Sequence, residues 1–407
     1  MSNTLNLGNG DWATKENSLL GYNSENGNYK PLPFDFTRAS NGTFVNKSGL
    51  IETAASGVPR IDFLGNTSGA LKLEPQRTNL IPYSQSFDNA AWTVNGASIT
   101  SGFTSPDGTT NAFKLVEDTS TGVHRIYQTS TVTSSTNVSI STYVKYAGTR
   151  WVFIRNAENS VGRYFDLVDG VIGGTGGLGM PDNSLMVAMG DGWYKISVSN
   201  TNTSAARLEL WMTKTEQATF STPYIGDGTS GVYIYGAQLE QGSYATSLIN
   251  TQGSAVTRVQ DVCSQTVPSG IIGQTEGTIY IDVDFKTLSG TNMFVSIRPD
   301  ANNKIEIYRS GAVIYGEFAS NASFNFNKPS VTVGRYKIAV AYSSGSSAMY
   351  INGVLIGSNT TPFAFTSTLD GIYINSRGTT YIEQSSYNES KIYNTRLSNA
   401  ELIALTS

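Results

Sequence analysis

Val138, Ile140, Thr142 and Val144 alternate with Ser139, Ser141 and Tyr143, and this two-residue period constrains the fold more than any other feature of the chain. Successive strand side chains point to opposite faces, so such a run buries one face and wets the other. Runs of this kind recur between Gly, Asn, Asp and Ser turns. VSISTYVKYA, RWVFIRNA, RYFDLVDGVI, WYKISVSNT, ARLELWMTK and GVYIYGAQLE fall within residues 81–250. GTIYIDVDFKT, NMFVSIRPD, KIEIYRSG, AVIYGEFA, YKIAVAYS, SAMYINGVLIGS and GIYINSR fall within 275–407. Neither stretch holds a heptad repeat. The expected fold is all-β, with an N-terminal extended arm followed by two antiparallel β-sandwiches, the first jelly-roll-like by strand count.

The spans between are read by their lack of period. Residues 1–80 alternate turns with short apolar touches, as in LGNGDW, GYNSENGNYKPLPFDF and FLGNTSGAL, the pattern of an arm that lies along another surface. This is the expected attachment or oligomerisation region. Residues 251–274 break the strand rhythm and read as a linker. A closing helix is expected at residues 398–406, where Ser398 and Glu401 form a capping box ahead of Leu402, Ile403 and Leu405.

Composition narrows the partners. Only 14% of the 407 residues are charged, against roughly 25% in average globular chains, so the exterior is rich in hydroxyl and amide groups. The net charge is −4 with no basic cluster, which argues against nucleic acid and anionic membranes as partners. The single cysteine, Cys263, cannot form an internal disulfide, and the single histidine, His124, cannot supply a histidine metal cluster. No signal peptide and no run of about 18 apolar residues is evident, so the expectation is a chain made in the cytoplasm with no membrane insertion.

The chemistry-bearing motifs each have a plainer reading beside them. GTGGLG at 174–179 satisfies the dinucleotide pattern, but Met180-Pro181-Asp182-Asn183 follows where a helix should start, so a flexible loop is expected. Asp282 and Asp284 share one strand face, a geometry open to glycoside hydrolysis; the flanking Tyr280 and Phe285 stand where that pattern needs Glu. His124 lacks a G-x-S-x-G elbow to serve. Loops rich in Asp, Asn and carbonyl groups suit a structural calcium ion, although no D-x-D-x-D-G ladder picks out ligands; no other cofactor is expected. Trp193 between Gly192 and Tyr194 reads as sandwich core. Trp151 and Phe153, with Arg155 on the same strand face, are the candidate carbohydrate-binding residues, because rings stack on sugar C–H faces and Arg bonds hydroxyls.

Residues 36–63 carry a more specific signal. Phe36, Arg38, Ala39, Ser40, Val45, Gly49, Leu50 and Ile51, then Pro59-Arg60-Ile61-Asp62 and Leu73-Glu74-Pro75-Gln76-Arg77-Thr78-Asn79-Leu80, resemble the N-terminal region of phage head-spike or head-fibre proteins and related tail-fibre proteins. The match runs on through Pro106-Asp107-Gly108, Gly192-Trp193-Tyr194 and Gly231 to Glu240. The remaining third is similar to the concanavalin A-like, laminin-G-like superfamily, on Ala348-Met349-Tyr350-Ile351-Asn352-Gly353-Val354 and on Lys391 to Leu402. These resemblances imply a virion surface protein made in a bacterial host. It would be a head fibre or spike, commonly a homotrimer, docked to capsid or tail proteins and displaying sandwiches to host-surface or mucosal glycans. Phe36, Arg38, Leu50, Ile51 and Arg60 are then the expected attachment or trimer-clasp residues. The alternatives are a capsid-decorating or tail-fibre protein with purely protein contacts and, on Asp282 and Asp284, a glycan hydrolase; no enzyme is expected.

Overall fold

The computed structural model describes all residues except 1, 2, 11, 25, 26, 28, 30–32, 134, 135, 202–204, 268, 321 and 322, so parts of LGNGDW and GYNSENGNYKPLPFDF lie outside the described residues. The chain is nearly all β, as the two-residue period predicts, and its strands pair antiparallel throughout the named sheets. It divides into two compact units.

The first unit comprises Met1–Lys47, Thr53–Gln76 and Val259–Ser407. Its eight-stranded sheet runs in the order Val354–Asn359, Ser347–Ile351, Gly334–Ser343, Glu276–Phe285, Ser385–Tyr393, Ala70–Leu73, Arg60–Asp62, with Leu5–Gly8 also paired to Ser385–Tyr393. Its nine-stranded sheet runs Ala13–Lys15, Ser18–Leu20, Pro33–Thr37, Val262–Thr266, Gly371–Ile374, Thr291–Ile297, Lys304–Ser310, Val313–Ala319, Ser323–Lys328. One core joins residues of both sheets, among them Ile281, Val283, Ile305, Ile307, Ile338 and Ile372.

The N-terminal stretch is therefore not an arm. Leu5 to Gly8 pair with Ile392 to Glu389, and Leu71 to Leu73 pair with Tyr387 to Ser385, so two early segments share the last long strand. The short apolar touches Leu5, Leu7, Leu19, Phe34, Phe36, Leu71 and Leu73 are all core residues. Each such burial is worth about 1.5–3 kcal/mol relative to exposure, enough to fix segments too short to show a local period. The expected linker is likewise ordered: Val256–Arg258 pairs with Arg77–Asn79, and Val262–Thr266 pairs with Pro33–Thr37 and Gly371–Ile374.

The second unit comprises Ser48–Glu52 and Arg77–Arg258. It has two six-stranded sheets. One runs Thr93–Asn95, His124–Thr131, Ala205–Thr213, Trp151–Asn156, Val161–Asp166, Val171–Ile172; the other runs Ala97–Phe103, Ala112–Glu117, Gly231–Gln241, Asn137–Ala147, Trp193–Thr201, Asn183–Gly190. Consecutive strands repeatedly change sheet, as a jelly roll requires. Val138, Ile140 and Val144 join Val152, Ile154, Leu208 and Leu210 in its core, and Trp193 is buried as expected.

The helix Asn399–Thr406 forms with its capping box: Ser398 Oγ accepts the Glu401 N–H and the Glu401 carboxylate accepts the Ser398 N–H. Its Leu402 packs with Tyr280, Ala339 and Tyr350 on the outside of the eight-stranded sheet. Among the described residues no helix is long and apolar enough to cross a membrane.

Candidate functional site

Strand Trp151–Asn156 places Val152 and Ile154 in the core, which leaves Trp151, Phe153 and Arg155 on the opposite face. The three do come together there, but under cover. Phe153 is fully buried, stacked on Phe220 at 5.1 Å and 4.7 Å from Tyr164. Trp151 meets Tyr164 edge-on at 6.1 Å. The GTGGLG run is part of the cover: the Phe220 N–H donates to the Gly176 carbonyl at 3.0 Å, and the Gly174 N–H donates to Glu216. Gly176 has φ +58°, and a Cβ there would sit 2.7 Å from Phe220, so a glycine is needed for the loop to close on the ring. Arg155 is tied by Nε to Glu209 at 2.6 Å and lies 4.7 Å over Phe220. Trp151 and Phe153 thus form a packed satellite cluster instead of an open platform for a sugar.

The expected clasp residues are also mostly enclosed. Phe36, Arg38, Ile51 and Arg60 are buried, and Leu50 is exposed. Arg38 Nη1 donates to Asp261 at 3.0 Å, and its Nη2 donates to the Ala55 and Val58 carbonyls at 2.8 and 3.1 Å. Arg60 donates to Glu74 at 2.6 Å and to Asp261 at 2.5 Å. Burial opposes the charge of Arg60, but Asp261 and Glu74 outweigh it and raise its pKa above the usual guanidinium value. Ser40 completes the motif by accepting the Val259 N–H at 2.9 Å. Arg38 and Arg60 therefore tie segments inside the first unit, and these two buried side chains present no surface for docking.

Asp282 and Asp284 share a face as expected, yet each has a cation. Arg335 forks onto Asp282 at 2.7 and 2.6 Å, with Asn388 at 3.2 Å, and Lys286 holds Asp284 at 2.6 Å. His124 is fully buried with its ring nitrogens at the Gly96 and Tyr224 carbonyls. Among the described residues no group of three or more His, Cys, Asp or Glu gathers as a metal site.

An open site lies elsewhere, on the outer face of the nine-stranded sheet. In strand Lys304–Ser310, Ile305 and Ile307 enter the core, so Lys304, Glu306, Tyr308 and Ser310 face outward. Register with Val313–Ala319 sets Tyr308 opposite Tyr315 and Glu306 opposite Glu317. The two tyrosine rings stack at 4.9 Å and 17°. Arg377 reaches in from a later loop to Glu306 at 2.8 Å and lies 5.2 Å over Tyr381, which is 44% exposed. Tyr381 is held at φ +61°, a left-handed backbone unfavourable to a bulky residue, while its carbonyl accepts the Met293 N–H at 2.9 Å. Thr291 and Ser310 complete the lining of a depression of about 460 Å³.

The charges in this groove are fixed. Glu306 is fully buried and accepts from Ser296 at 2.8 Å and Lys304 at 3.0 Å as well as from Arg377. Lys304 also pairs with Glu317 at 2.7 Å. Burial, then the charge and hydrogen bond of Glu317, push the Tyr308 phenol well above its ordinary value, so it stays a neutral hydroxyl. Ring faces beside fixed donors and acceptors are the features that bind a polyhydroxylated ligand. The outward Lys-x-Glu-x-Tyr-x-Ser of KIEIYRS was visible in the sequence; Arg377 and Tyr381, about 70 residues on, were not.

No protein-family model and no curated protein matches the chain. Among solved structures it is similar to the CBM40 of the Ruminococcus gnavus IT-sialidase, at 17% identity and TM-score 0.31 over 36% of this chain and 93% of that one. It is similar also to leech intramolecular trans-sialidase, at 17% identity and TM-score 0.30 over 33% of this chain and 23% of that one. A third likeness is to the receptor binding domain of botulinum neurotoxin C/D mosaic serotype, at 12% identity and TM-score 0.31 over 36% and 40%. Each spans about a third of the chain, and at these TM-scores they say nothing of the site.

Proposed function

We propose that this chain is an adhesive, non-catalytic protein that binds a neutral glycan in the groove of Tyr308, Tyr315 and Tyr381. The observation that carries the reading is the stacked Tyr308–Tyr315 pair beside an exposed Tyr381, all lining one open depression with Lys304, Glu317 and Arg377. Rings offer apolar faces to sugar C–H groups at little entropic cost, and the flanking charged side chains bond hydroxyls. The carboxylates here are already paired to Lys304 and Arg377, which suits recognition better than proton transfer.

The resemblance to phage head-fibre and tail-fibre proteins supports display on a virion surface, in several copies and with capsid or tail proteins as docking partners. Multiple copies would make weak single-site binding sufficient. The test is a glycan array probed with the full chain, followed by affinity measurements on Tyr315→Ala. Binding should fall by about tenfold, equivalent to about 1.4 kcal/mol. A blank array, or undiminished affinity in both Tyr315→Ala and Tyr381→Ala, would sink the glycan reading and favour a purely protein-binding role.

A further inference from the structure

The outer face of the other candidate sheet, in the second unit, carries a separate arrangement that the tyrosine groove does not explain. At its centre is Glu209, fully buried, with Tyr127 opposite it on one neighbouring strand and Arg155 opposite it on the other. Its carboxylate accepts hydrogen bonds from Arg155 Nε at 2.6 Å, Trp211 Nε1 at 2.8 Å and Arg125 Nη1 at 3.3 Å, and Arg207 Nε lies 3.1 Å away as an ion-pair partner without a hydrogen bond. Arg125 and Arg207 flank the Tyr127 ring at 5.0 and 5.3 Å.

Two features set this apart from a structural salt bridge. One guanidinium would neutralise Glu209, yet three converge on it, and Glu158, 3.4 Å from Arg207, is the one further carboxylate among the described ion pairs of the patch. One positive charge is left over on a chain whose net charge is −4, so the excess is local. Second, Glu209 holds Arg155 by a hydrogen bond to Nε and faces Arg207 Nε as an ion pair, and the Nη groups of both have no hydrogen-bond acceptor among the described residues. A guanidinium anchored on one edge presents the other as a rigid fork, the geometry that grips a carboxylate through two parallel hydrogen bonds. Arg125 and Arg207 keep 24% and 30% of their side-chain surface exposed, so a ligand reaches them from solvent.

We propose that this arginine face is a second binding site, specific for the carboxylate of an acidic saccharide. It is independent of the groove in the first unit. Glu209 acts as the internal anchor that orients the arginines, and the ligand carboxylate takes up the remaining charge.

The test titrates the full chain with an oligogalacturonate and with its methyl ester, in which each carboxylate is capped by a methyl group and carries no charge, while following the Trp211 indole N–H signal. The acid should bind and shift that signal, the ester should do neither, and binding should weaken at about 0.5 M salt, where exposed charges are strongly screened. The double variant Arg125→Gln, Arg207→Gln should lose at least about tenfold in affinity, while Tyr315→Ala should bind the acid as the native chain does. Equal binding of the ester, no binding of the acid, or undiminished binding in the double variant would overturn the proposal. Should that variant unfold, the Trp211 signal of the native chain decides: a shift with the acid alone supports the site, and no shift overturns it.

Discussion

Arg38 Nη1 lies 3.0 Å from Asp261 Oδ1, although 223 residues separate them in the chain. Asp261 also receives Arg60 and the Glu74 N–H, the latter at 2.8 Å, so one carboxylate joins three early segments of the first unit to the segment that returns at Val259. Removing one member leaves an uncompensated buried charge. Asp261→Ala should therefore cost about 3–5 kcal/mol in urea unfolding; a loss below about 0.5 kcal/mol, the level of an ordinary surface change, would show that the network relaxes without it.

Tyr381 combines exposure with a left-handed backbone at φ +61°. Strain of that kind, of order 1–3 kcal/mol, persists where surroundings or function hold it. Tyr381→Gly relieves the backbone and deletes the ring. The variant should melt no lower than the native chain while binding glycan more weakly; unchanged affinity would remove Tyr381 from the site.

The Tyr164 phenol in the aromatic cluster is pushed up from 10.0 to about 12, chiefly by burial, which outweighs the opposing influence of the nearby Gln217 backbone, with a lesser push from the charge of Glu216. Below pH 10 both the folded and the unfolded chain keep this proton and its contribution is fully present. As pH rises towards about 12 the unfolded chain releases the proton that the folded chain retains, so stability falls across that window. Tyr164→Phe should flatten the alkaline decline in denaturation midpoint relative to the native chain, and an identical slope would contradict the assignment.

Cys263 is fully buried, and burial together with the charges of Asp261 and Asp35 drives its thiol far above the ordinary range. Thiolate is the reactive form. A thiol reagent at pH 8 should leave the folded chain unlabelled and label it fully in denaturant; rapid labelling of the native chain would mean that this strand opens readily.

Much of the fold was legible because it is local. The alternation at Val138 to Val144 and in KIEIYRS assigns faces to residues before any partner strand is known, and Ser398 with Glu401 specifies a helix start within four positions. The outward placement of Trp151, Phe153 and Arg155 followed from the same period. Their cover did not, because Phe220 and the loop at Gly174 to Gly176 reach them through contacts that no period encodes.

The sequence by itself determined the all-β class, the inward and outward faces of the long strands and the capped terminal helix. Tertiary structure alone decided that the early strands Leu5–Gly8, Ala13–Lys15, Ser18–Leu20, Pro33–Thr37, Arg60–Asp62 and Ala70–Leu73 complete the first unit's sheets instead of forming an arm, that Arg38 and Arg60 face an internal carboxylate, and that Tyr308 and Tyr315 meet Arg377 and Tyr381. The physical reason is the same in each case. A strand's period is set by its own backbone, whereas the identity of its neighbour depends on burial and charge pairing between segments that only the folded chain brings together.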